Sequence, residues 1–171
     1  QLLTIEDHKA PVVTAPAPIT VSCESSLDVS VTGNIITSDN CTPGASLIIF
    51  MNDDLTAVIG CNHTGTVKRT WIVTDLCGNS ASTTQNIRIV DLTPPTITCG
   101  SSIEVNCGDS VEPDALGYPT ISDNCTAVAD MDLLHFDNTT GLNGCNGTGT
   151  LLRKWVVYDD CGNSNSCIQT I

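Results

Sequence analysis

Aromatic and basic residues are both scarce in this chain. Aromatics make up 4% of its 171 residues, and 6 Lys plus Arg stand against 19 Asp plus Glu, which gives a formal net charge of −13. A chain with few large rings must build small cores from Val, Ile and Leu. A strongly acidic surface repels nucleic acid and anionic lipid. The composition argues against both as partners and favours solubility and divalent cations.

Several sequence signatures are also missing. No apolar run reaches 18 residues, so no transmembrane span is predicted. No Cys-x-x-Cys pair is present to indicate zinc, and Gly-x-Ser-x-Gly, His-Glu-x-x-His and phosphate-loop motifs are absent. Adjacent carboxylates such as Asp53-Asp54 and Asp159-Asp160 would point to opposite faces of a strand. We therefore expect no catalytic activity.

A repeat of 84 residues organises what is present. About two-fifths of the aligned positions are identical without any insertion, and Trp71 falls on Trp155. His8, His63 and His135 do not recur between the repeats. The repeat predicts two domains, 8–91 and 92–171, preceded by a segment 1–7 that has the phase of a last strand. The matched cysteines are Cys23 with Cys107, Cys41 with Cys125, Cys61 with Cys145 and Cys77 with Cys161.

Hydrophobic alternation with period two predicts strands throughout both repeats. In repeat one we expect strands at 12–14, 19–22, just before Asp39, and at 46–51, 67–75 and 84–90. Arg69 would share the core-facing side of its strand with Trp71 but lie near the rim. No helical stripe is evident. The predicted fold is all-β: two tandem immunoglobulin-like β-sandwiches, stapled by disulfides and joined by a short Pro-containing linker into a rod.

Three motifs carry a resemblance to a known family. They are Asp91-Leu-Thr-Pro-Pro-Thr-Ile-Thr-Cys99, Ser122-Asp-Asn-Cys125 and Trp155-Val-Val-Tyr-Asp-Asp-Cys-Gly-Asn-Ser164. Together they resemble hyalin-repeat (HYR-like) domains of immunoglobulin type. That resemblance implies tandem modules of large bacterial surface adhesins, notably of gliding Bacteroidota, and a secreted, cell-surface location.

The ten cysteines predict a disulfide framework in an oxidising compartment. Repeat one has Ala15 and Thr83 where repeat two has Cys99 and Cys167, and two cysteines that are absent together are most simply partners. Loop positions in an immunoglobulin-type sandwich suggest the other four bridges, while sequential pairing (Cys23–Cys41, Cys61–Cys77) stays open. The predicted bridges are Cys99–Cys167, Cys23–Cys61, Cys41–Cys77, Cys107–Cys145 and Cys125–Cys161.

Three aspartate positions occur in both repeats and are expected at the same end of each sandwich. Carboxylate oxygens converging there could hold Ca²⁺. The competing interpretation is that each aspartate accepts backbone N–H groups of its own turn. The positions are Asp7 with Asp91, Asp39 with Asp123, and Asp75 with Asp159.

Glycan attachment is a further expectation. The acceptor pattern Asn-x-Ser/Thr is frequent, and exposed loops of a secreted fibre are natural carriers. The candidate sites are Asn40, Asn62, Asn124, Asn138 and Asn146.

The phase of the repeat at the two ends suggests self-assembly. Residues 1–7 match Gln85–Asp91, and Ile171 matches Ile87, part-way along the last strand. A strand from one copy could complete the second sandwich of another, with Leu3 and Ile5 entering its core. We therefore expect a structural subunit of a glycosylated extracellular filament whose partners are copies of itself. The alternatives are a stalk or ligand-binding segment of a giant adhesin, or an accessory domain of a polysaccharide-acting enzyme.

Overall fold

The computed structural model describes all residues from Gln1 to Ile171, and they form two compact units. Unit one is Gln1–Val90 and unit two is Asp91–Ile171. Both units are built from β-strands with only single-turn helices, so the all-β prediction is confirmed. None of the helices is long and apolar enough to span a membrane.

Unit one contains six strands in two sheets. The strands are β1 Val12–Thr14, β2 Ile19–Ser22, β3 Ile36–Ser38, β4 Ile48–Ala57, β5 Gly65–Thr74 and β6 Ser80–Val90. Strand β1 pairs antiparallel with β3, and the larger sheet has the order β2-β6-β5-β4, in which only the β2–β6 pairing is parallel. A one-turn helix α1 (Val29–Thr32) precedes β3, and 3₁₀ turns at Gly44–Ser46 and Cys61–His63 precede β4 and β5.

Unit two repeats this plan with one strand fewer. The strands are β7 Thr96–Thr98, β8 Thr120–Ser122, β9 Asp132–Gly141, β10 Thr150–Tyr158 and β11 Ser164–Thr170. The small sheet pairs β7 with β8, and the large sheet has the order β11-β10-β9. A one-turn helix α2 (Pro113–Leu116) precedes β8, and 3₁₀ turns lie at Val128–Asp130 and Cys145–Gly147.

Each core is small and centred on one tryptophan of the middle strand. Along β5 the buried residues alternate with more exposed ones, and Val67, Trp71 and Val73 are at most 1% exposed. Trp155 and Val157 repeat the pattern on β10. Both small sheets pack against the closing strand of their unit, β1 on β6 and β7 on β11.

Arg69 lies in the core, so the expectation that it sits near the rim is wrong. Its side chain is 2% exposed and passes beside the Trp71 ring, with Cζ 5.8 Å from the ring centroid. Burial is possible because Asp53 stands directly opposite on β4 and neutralises it through two bonds of 2.7 Å. The register of β4 against β5, which the sequence does not specify, brings the two together.

The predicted bridge between Cys99 and Cys167 is present. It joins the end of β7 to β11, with Cα atoms 5.9 Å apart and a sequence separation of 68. It therefore links the two sheets of unit two. A loop of this length contributes about 4 kcal/mol in the chain-entropy model.

The other cysteines divide into two groups. One group is disulfide-bonded and consists of Cys23, Cys61, Cys125 and Cys161. The other consists of four exposed free thiols, Cys41, Cys77, Cys107 and Cys145. The structure thus lacks the predicted bridges Cys41–Cys77 and Cys107–Cys145, while the pairings Cys23–Cys61 and Cys125–Cys161 stay predictions.

Cys41 and Cys77 each lie in a turn that an aspartate holds. The Cys41 amide donates to Asp39, and the Cys77 amide donates to Asp75, each at 2.9 Å. Each cysteine is therefore fixed in the turn of its own aspartate, with its side chain exposed to solvent. A bridge requires the two Cβ atoms to converge, which sharing one end of a sandwich does not guarantee.

Candidate metal centres

Three aspartates converge at one end of unit one. Asp39 follows β3, Asp75 follows β5, and Asp7 lies in the extended segment before β1. One carboxylate oxygen from each lies within 4.8 Å of the others. Strands β3 and β5 end on the same side of the unit, which brings residues that are distant in sequence into one cluster.

In this cluster each aspartate uses part of its carboxylate to hold a turn. Asp39 Oδ2 accepts the amides of Cys41 and Thr42 at 2.9 and 2.8 Å. These N–H donors, of which Thr42 has the larger effect, hold the pKa of Asp39 below its usual range. Asp75 Oδ1 accepts the Asn79 amide at 2.8 Å within the β5–β6 hairpin. The turn-capping interpretation is therefore correct for these residues.

Capping does not use all of the carboxylate oxygens. Asp7 Oδ1 accepts the Lys9 amide at 3.1 Å, but Asp7 Oδ2 is buried without a hydrogen-bond partner. Asp39 Oδ1 is buried and unpartnered in the same way. Burying carboxylate oxygens without donors is costly unless a cation neutralises them. The two interpretations of these aspartates are thus compatible, since one oxygen can hold a turn while the other faces the cluster.

Unit two contains the equivalent cluster. Asp91, Asp123 and Asp159 bring carboxylate oxygens within 4.8 Å of one another, and Asp91 and Asp159 are each 6% exposed. Asp123 Oδ2 accepts the amides of Cys125 and Thr126 at 2.8 and 2.9 Å, whereas its Oδ1 is buried without a partner. Recurrence of the same arrangement shows that it belongs to the repeat.

An asparagine braces each cluster from the following turn. Asn79 Nδ2 donates to Asp75 Oδ2 at 2.8 Å and to the Asp7 carbonyl at 3.1 Å. Asn163 Nδ2 donates to Asp159 Oδ2 at 2.8 Å and to the Asp91 carbonyl at 3.4 Å. These two asparagines were not among the predicted site residues. Their place in the duplicated Cys-Gly-Asn-Ser motif is the signal that could have revealed them.

The donor set suits a hard divalent cation. All the ligating atoms are oxygens, three carboxylates meet in each cluster, and Ca²⁺ takes six to eight oxygen ligands with water able to complete the shell. The three aspartates of each unit would contact the cation directly, with the braced turns fixing their orientation.

The candidate glycan sites lie in different surroundings. Asn138 and Asn146 are exposed, on β9 and in the turn before β10. Asn40 is exposed but donates to Asp7 Oδ1 at 3.3 Å, close to the aspartate cluster. Asn62 and Asn124 are half-buried. Asn138 and Asn146 are therefore the two acceptors with the best access.

Comparison with known proteins adds little. No family model and no curated protein matches the chain. Among solved structures it is similar to a protocadherin gammaB7 EC3-6 cis-dimer, with TM-score 0.44, 11% identity and coverage of 95% of this chain and 52% of that one. It is also similar to the protocadherin GammaB4 extracellular domain, with TM-score 0.43, 11% identity and coverage of 94% and 34%.

The chain thus spans about half the length of the first protocadherin structure and a third of the second. Similarity at this level carries no inference about ligands or partners.

Proposed function

We propose that the chain is a structural subunit of an extracellular, glycosylated filament, in which copies join head to tail by exchange of an N-terminal strand. Oxidised cysteines support an extracellular setting, since thiols are kept reduced in the cytosol. The observation that carries the assembly proposal is an open groove in unit two. The corresponding place in unit one is filled.

In unit one the end of β6 fills the space between two neighbouring strands. Residues Ile87–Val90 pair in parallel with β2 (Ile19–Ser22) on one side, and Ile87–Ile89 pair with Gly65–Val67 of β5 on the other. Val21, Val67 and Ile87 form the buried cluster at this place. The last residues of β6 are therefore part of the core of unit one.

In unit two the same place is a groove. Strand β11 ends at Thr170, and residues 103–106, which correspond to β2, form no strand. Only the Ile103 amide is bonded to β11, donating to the Thr170 carbonyl at 3.0 Å. The groove encloses about 560 Å³. Its lining comprises residues 102–109, Val111, Leu142, residues 147–151, Thr170 and Ile171.

The N-terminal segment matches a strand in sequence but is not paired in a sheet. Residues 1–11 form no secondary structure, and Leu3 and Ile5 are 81% and 86% exposed. By the repeat, residues 4–7 correspond to Arg88–Asp91, the part of β6 that fills the groove in unit one. Burying the side chain of Ile5 there would contribute about 1.5–3 kcal/mol.

In the proposed register Ile5 is the residue of the N-terminal segment that would enter the groove. Ile171 exchanges two backbone bonds with Leu151, at 2.8 and 2.9 Å, and so takes the position that Leu3 would occupy in this register. The expectation that Leu3 also enters the core of a neighbour therefore does not fit the geometry. Ile5, at the Ile89 position, is the residue that would enter the groove.

The strand proposal is tested with a chain in which Cys41, Cys77, Cys107 and Cys145 are serine, so that only non-covalent association is measured. Ile5→Asp should abolish concentration-dependent sedimentation and filaments in electron micrographs. Thr4→Asp is the matched control, because its equivalent Arg88 is exposed on β6, and it should still assemble. Equal behaviour of the two variants would overturn strand exchange.

A segment of a tandem-repeat surface adhesin is the second candidate function, which also fits the hyalin-repeat resemblance. In that case polypeptide continuing from Ile171 would fill the groove. The mass of the native polymer after boiling in reductant separates the two. A band near 17.9 kDa plus glycan supports a subunit, and a giant chain supports the adhesin.

We also propose that the two aspartate clusters bind Ca²⁺ and rigidify the turns of each unit. Free Ca²⁺ at one hundred times its dissociation constant should stabilise the fold by about 2.7 kcal/mol relative to chelator. Asp123→Asn should remove that gain in unit two, whereas Asp130→Asn, at an exposed site in the next turn, should retain it. Identical melting in Ca²⁺ and chelator would leave turn capping as the only role.

A further inference from the structure

Equivalent cysteines of the two repeats are in opposite oxidation states. Cys61 is disulfide-bonded, whereas its equivalent Cys145 is an exposed free thiol. The same contrast holds for Cys23 and Cys107. It is reversed for the other two positions, where Cys125 and Cys161 are bonded while Cys41 and Cys77 are free and exposed. Four free thiols thus remain, two in each repeat.

Local backbone structure does not explain the contrast at Cys61 and Cys145. Each begins a 3₁₀ turn after a glycine in the extended conformation, with φ/ψ of −76°/−176° at Gly60 and −81°/−174° at Gly144. In both turns that glycine amide donates to a threonine carbonyl four residues later, at 2.9 and 2.7 Å. A turn compatible with a disulfide in one repeat is therefore compatible with one in the other.

The hairpins that carry Cys77 and Cys161 are equally alike. The Asp75 amide donates to the Asn79 carbonyl at 3.0 Å, and Asp159 does the same to Asn163 at 3.0 Å. Cys41 and Cys125 also match, since their amides donate to the preceding aspartate at 2.9 and 2.8 Å. The turns around these three pairs of cysteines therefore do not distinguish bonded from free. Cys23 and Cys107 do differ locally, because Cys23 follows β2 and its amide donates to the Val90 carbonyl at 2.9 Å, whereas residues 103–106 form no strand.

The contrast does follow the order of the repeats in the chain. Cys23 and Cys61 belong to a repeat that is followed by another in the chain, and they are bonded, whereas Cys107 and Cys145 are free. Cys125 and Cys161 belong to a repeat that is preceded by another, and they are bonded, whereas Cys41 and Cys77 are free. The two free pairs are thus equivalent by the repeat to the two bonded pairs, and they lie in opposite repeats.

We propose that Cys107 and Cys145 of one copy form two disulfides with Cys41 and Cys77 of a second copy. The proposal rests on the head-to-tail assembly proposed above and adds a covalent lock to it. All four thiols are exposed and thus accessible to another molecule. A contact of this kind uses different surfaces on the two partners and so continues as a chain of copies.

The chemistry requires an oxidant, which a low-molecular-weight disulfide such as glutathione disulfide supplies. A thiolate of one copy attacks the oxidant, and a mixed disulfide forms as one glutathione thiol leaves. The partner thiolate then displaces the second glutathione thiol and forms the bond between copies. Each bond thus consumes one glutathione disulfide, whose two sulfurs take the two electrons and leave with the two protons of the protein thiols.

Two half-blocked variants test the proposal. One carries Cys41→Ser and Cys77→Ser, and the other carries Cys107→Ser and Cys145→Ser. With glutathione disulfide, the unmodified chain should give a ladder of covalent multimers on non-reducing denaturing gels. Each variant alone should lose all multimers, and their mixture should give a covalent dimer and nothing larger. Unreduced peptide mapping should link a 41 or 77 peptide to a 107 or 145 peptide.

Other outcomes overturn the inference. Dimers of a single variant as abundant as those in the mixture would show unspecific thiol exchange. A Cys41–Cys77 or Cys107–Cys145 bridge within one chain would show that the contrast has a local cause. If the Ile5→Asp chain still assembles while the covalent multimers form as expected, strand exchange is rejected and the disulfides between copies are retained. If non-covalent assembly is normal but no covalent multimers form, the disulfides between copies are rejected and strand exchange is retained.

Discussion

Arg69 in repeat one and Arg153 in repeat two occupy the same place on the central strand, but they have different partners. Both donate twice to the aspartate opposite, Asp53 or Asp137, at 2.7 Å. Arg69 also donates to Thr32 Oγ1 and to the Leu27 carbonyl, each at 2.6 Å. The Nη1 group of Arg153 is buried without a partner. The sheet thus fixes the ion pair, and the loop before β3 or β8 decides the remaining contacts.

A second contrast lies at the junction of the two sheets within each unit. In repeat one, Gln85 Nε2 on β6 donates to the carbonyls of Ala17 and Thr32 at 2.9 and 2.7 Å. In repeat two, Gln169 instead accepts from the Trp155 indole at 3.1 Å. Here the Cys99–Cys167 bridge joins the sheets. One repeat thus ties its sheets together with hydrogen bonds to loops, and the other does so with a covalent bond.

The largest effect is expected from removing the carboxylate opposite the less satisfied arginine. Asp137→Ala should cost about 3–5 kcal/mol, because it leaves a buried guanidinium charge unpaired. Asp53→Ala should cost less, since Arg69 keeps Thr32 and Leu27. Denaturant unfolding followed by hydrogen exchange in each unit measures both.

The control for this pair is Asp132→Ala, at the exposed start of β9, which should change stability by less than about 0.5 kcal/mol. A greater loss in Asp53→Ala than in Asp137→Ala would contradict the ranking of the two arginine sites.

Removing the disulfide of repeat two, or introducing its equivalent into repeat one, should give the next largest effect. Replacing Cys99 and Cys167 by alanine should destabilise unit two by about 4 kcal/mol. Ala15→Cys with Thr83→Cys places cysteines at the equivalent positions of unit one, where Thr83 faces Trp71 as Cys167 faces Trp155. Calorimetry should show a higher melting temperature for unit one. No shift after a bridge has been verified by mass would mean that the sheets of unit one were already held as tightly.

Exchanging the residue beside the arginine should have a smaller effect. Leu116 stands where repeat one has Thr32. Thr32→Leu removes a partner of a buried donor and should cost about 1–3 kcal/mol. Leu116→Thr offers Arg153 the missing acceptor and should offset part of that deficit in unit two. Thr32→Val separates loss of the hydroxyl from change of shape, and it should behave like Thr32→Leu.

Lowering the pH should give the smallest change in stability among these predictions. The hydrogen bonds from Arg153 hold the pKa of Asp137 below its usual range. A group whose pKa is lower in the folded state stabilises the fold above its unfolded pKa of about 3.9 and loses that contribution as the pH falls through the folded value. The melting temperature of unit two should therefore decrease as the pH is lowered below about 4. Asp137→Asn should flatten this dependence, and an unchanged slope would show that other carboxylates control it.

Strand positions were largely predictable because alternation of apolar and polar residues reports which face of a strand is buried. The strands at 12–14 and 19–22 were found as predicted, and those before Asp39 and around Trp71 within two residues. Strand β4 was predicted at 46–51 but spans Ile48–Ala57, because its second half carries polar residues that pair with β5 on an edge. Strand β6 was predicted at 84–90 but begins at Ser80. The one-turn helices were missed, since a single turn has no periodicity to detect.

The aspartate positions were identified by their recurrence, and the structure brings all six together in two clusters. The bracing asparagines were missed because their role depends on contact with Asp7 and Asp91, more than 70 residues away. The Cys99–Cys167 bridge was predictable from the joint absence of both cysteines in repeat one.

The sequence by itself determined the repeat, the strands and the aspartate positions, because each depends on neighbours in the chain or on comparison of one repeat with the other. The tertiary structure alone decided that Arg69 is buried, that Arg153 lacks a partner and that a groove lies beside β11. It also decided which cysteines are free. These properties depend on cross-strand register and on what fills the space beside each residue, and a one-dimensional pattern contains neither.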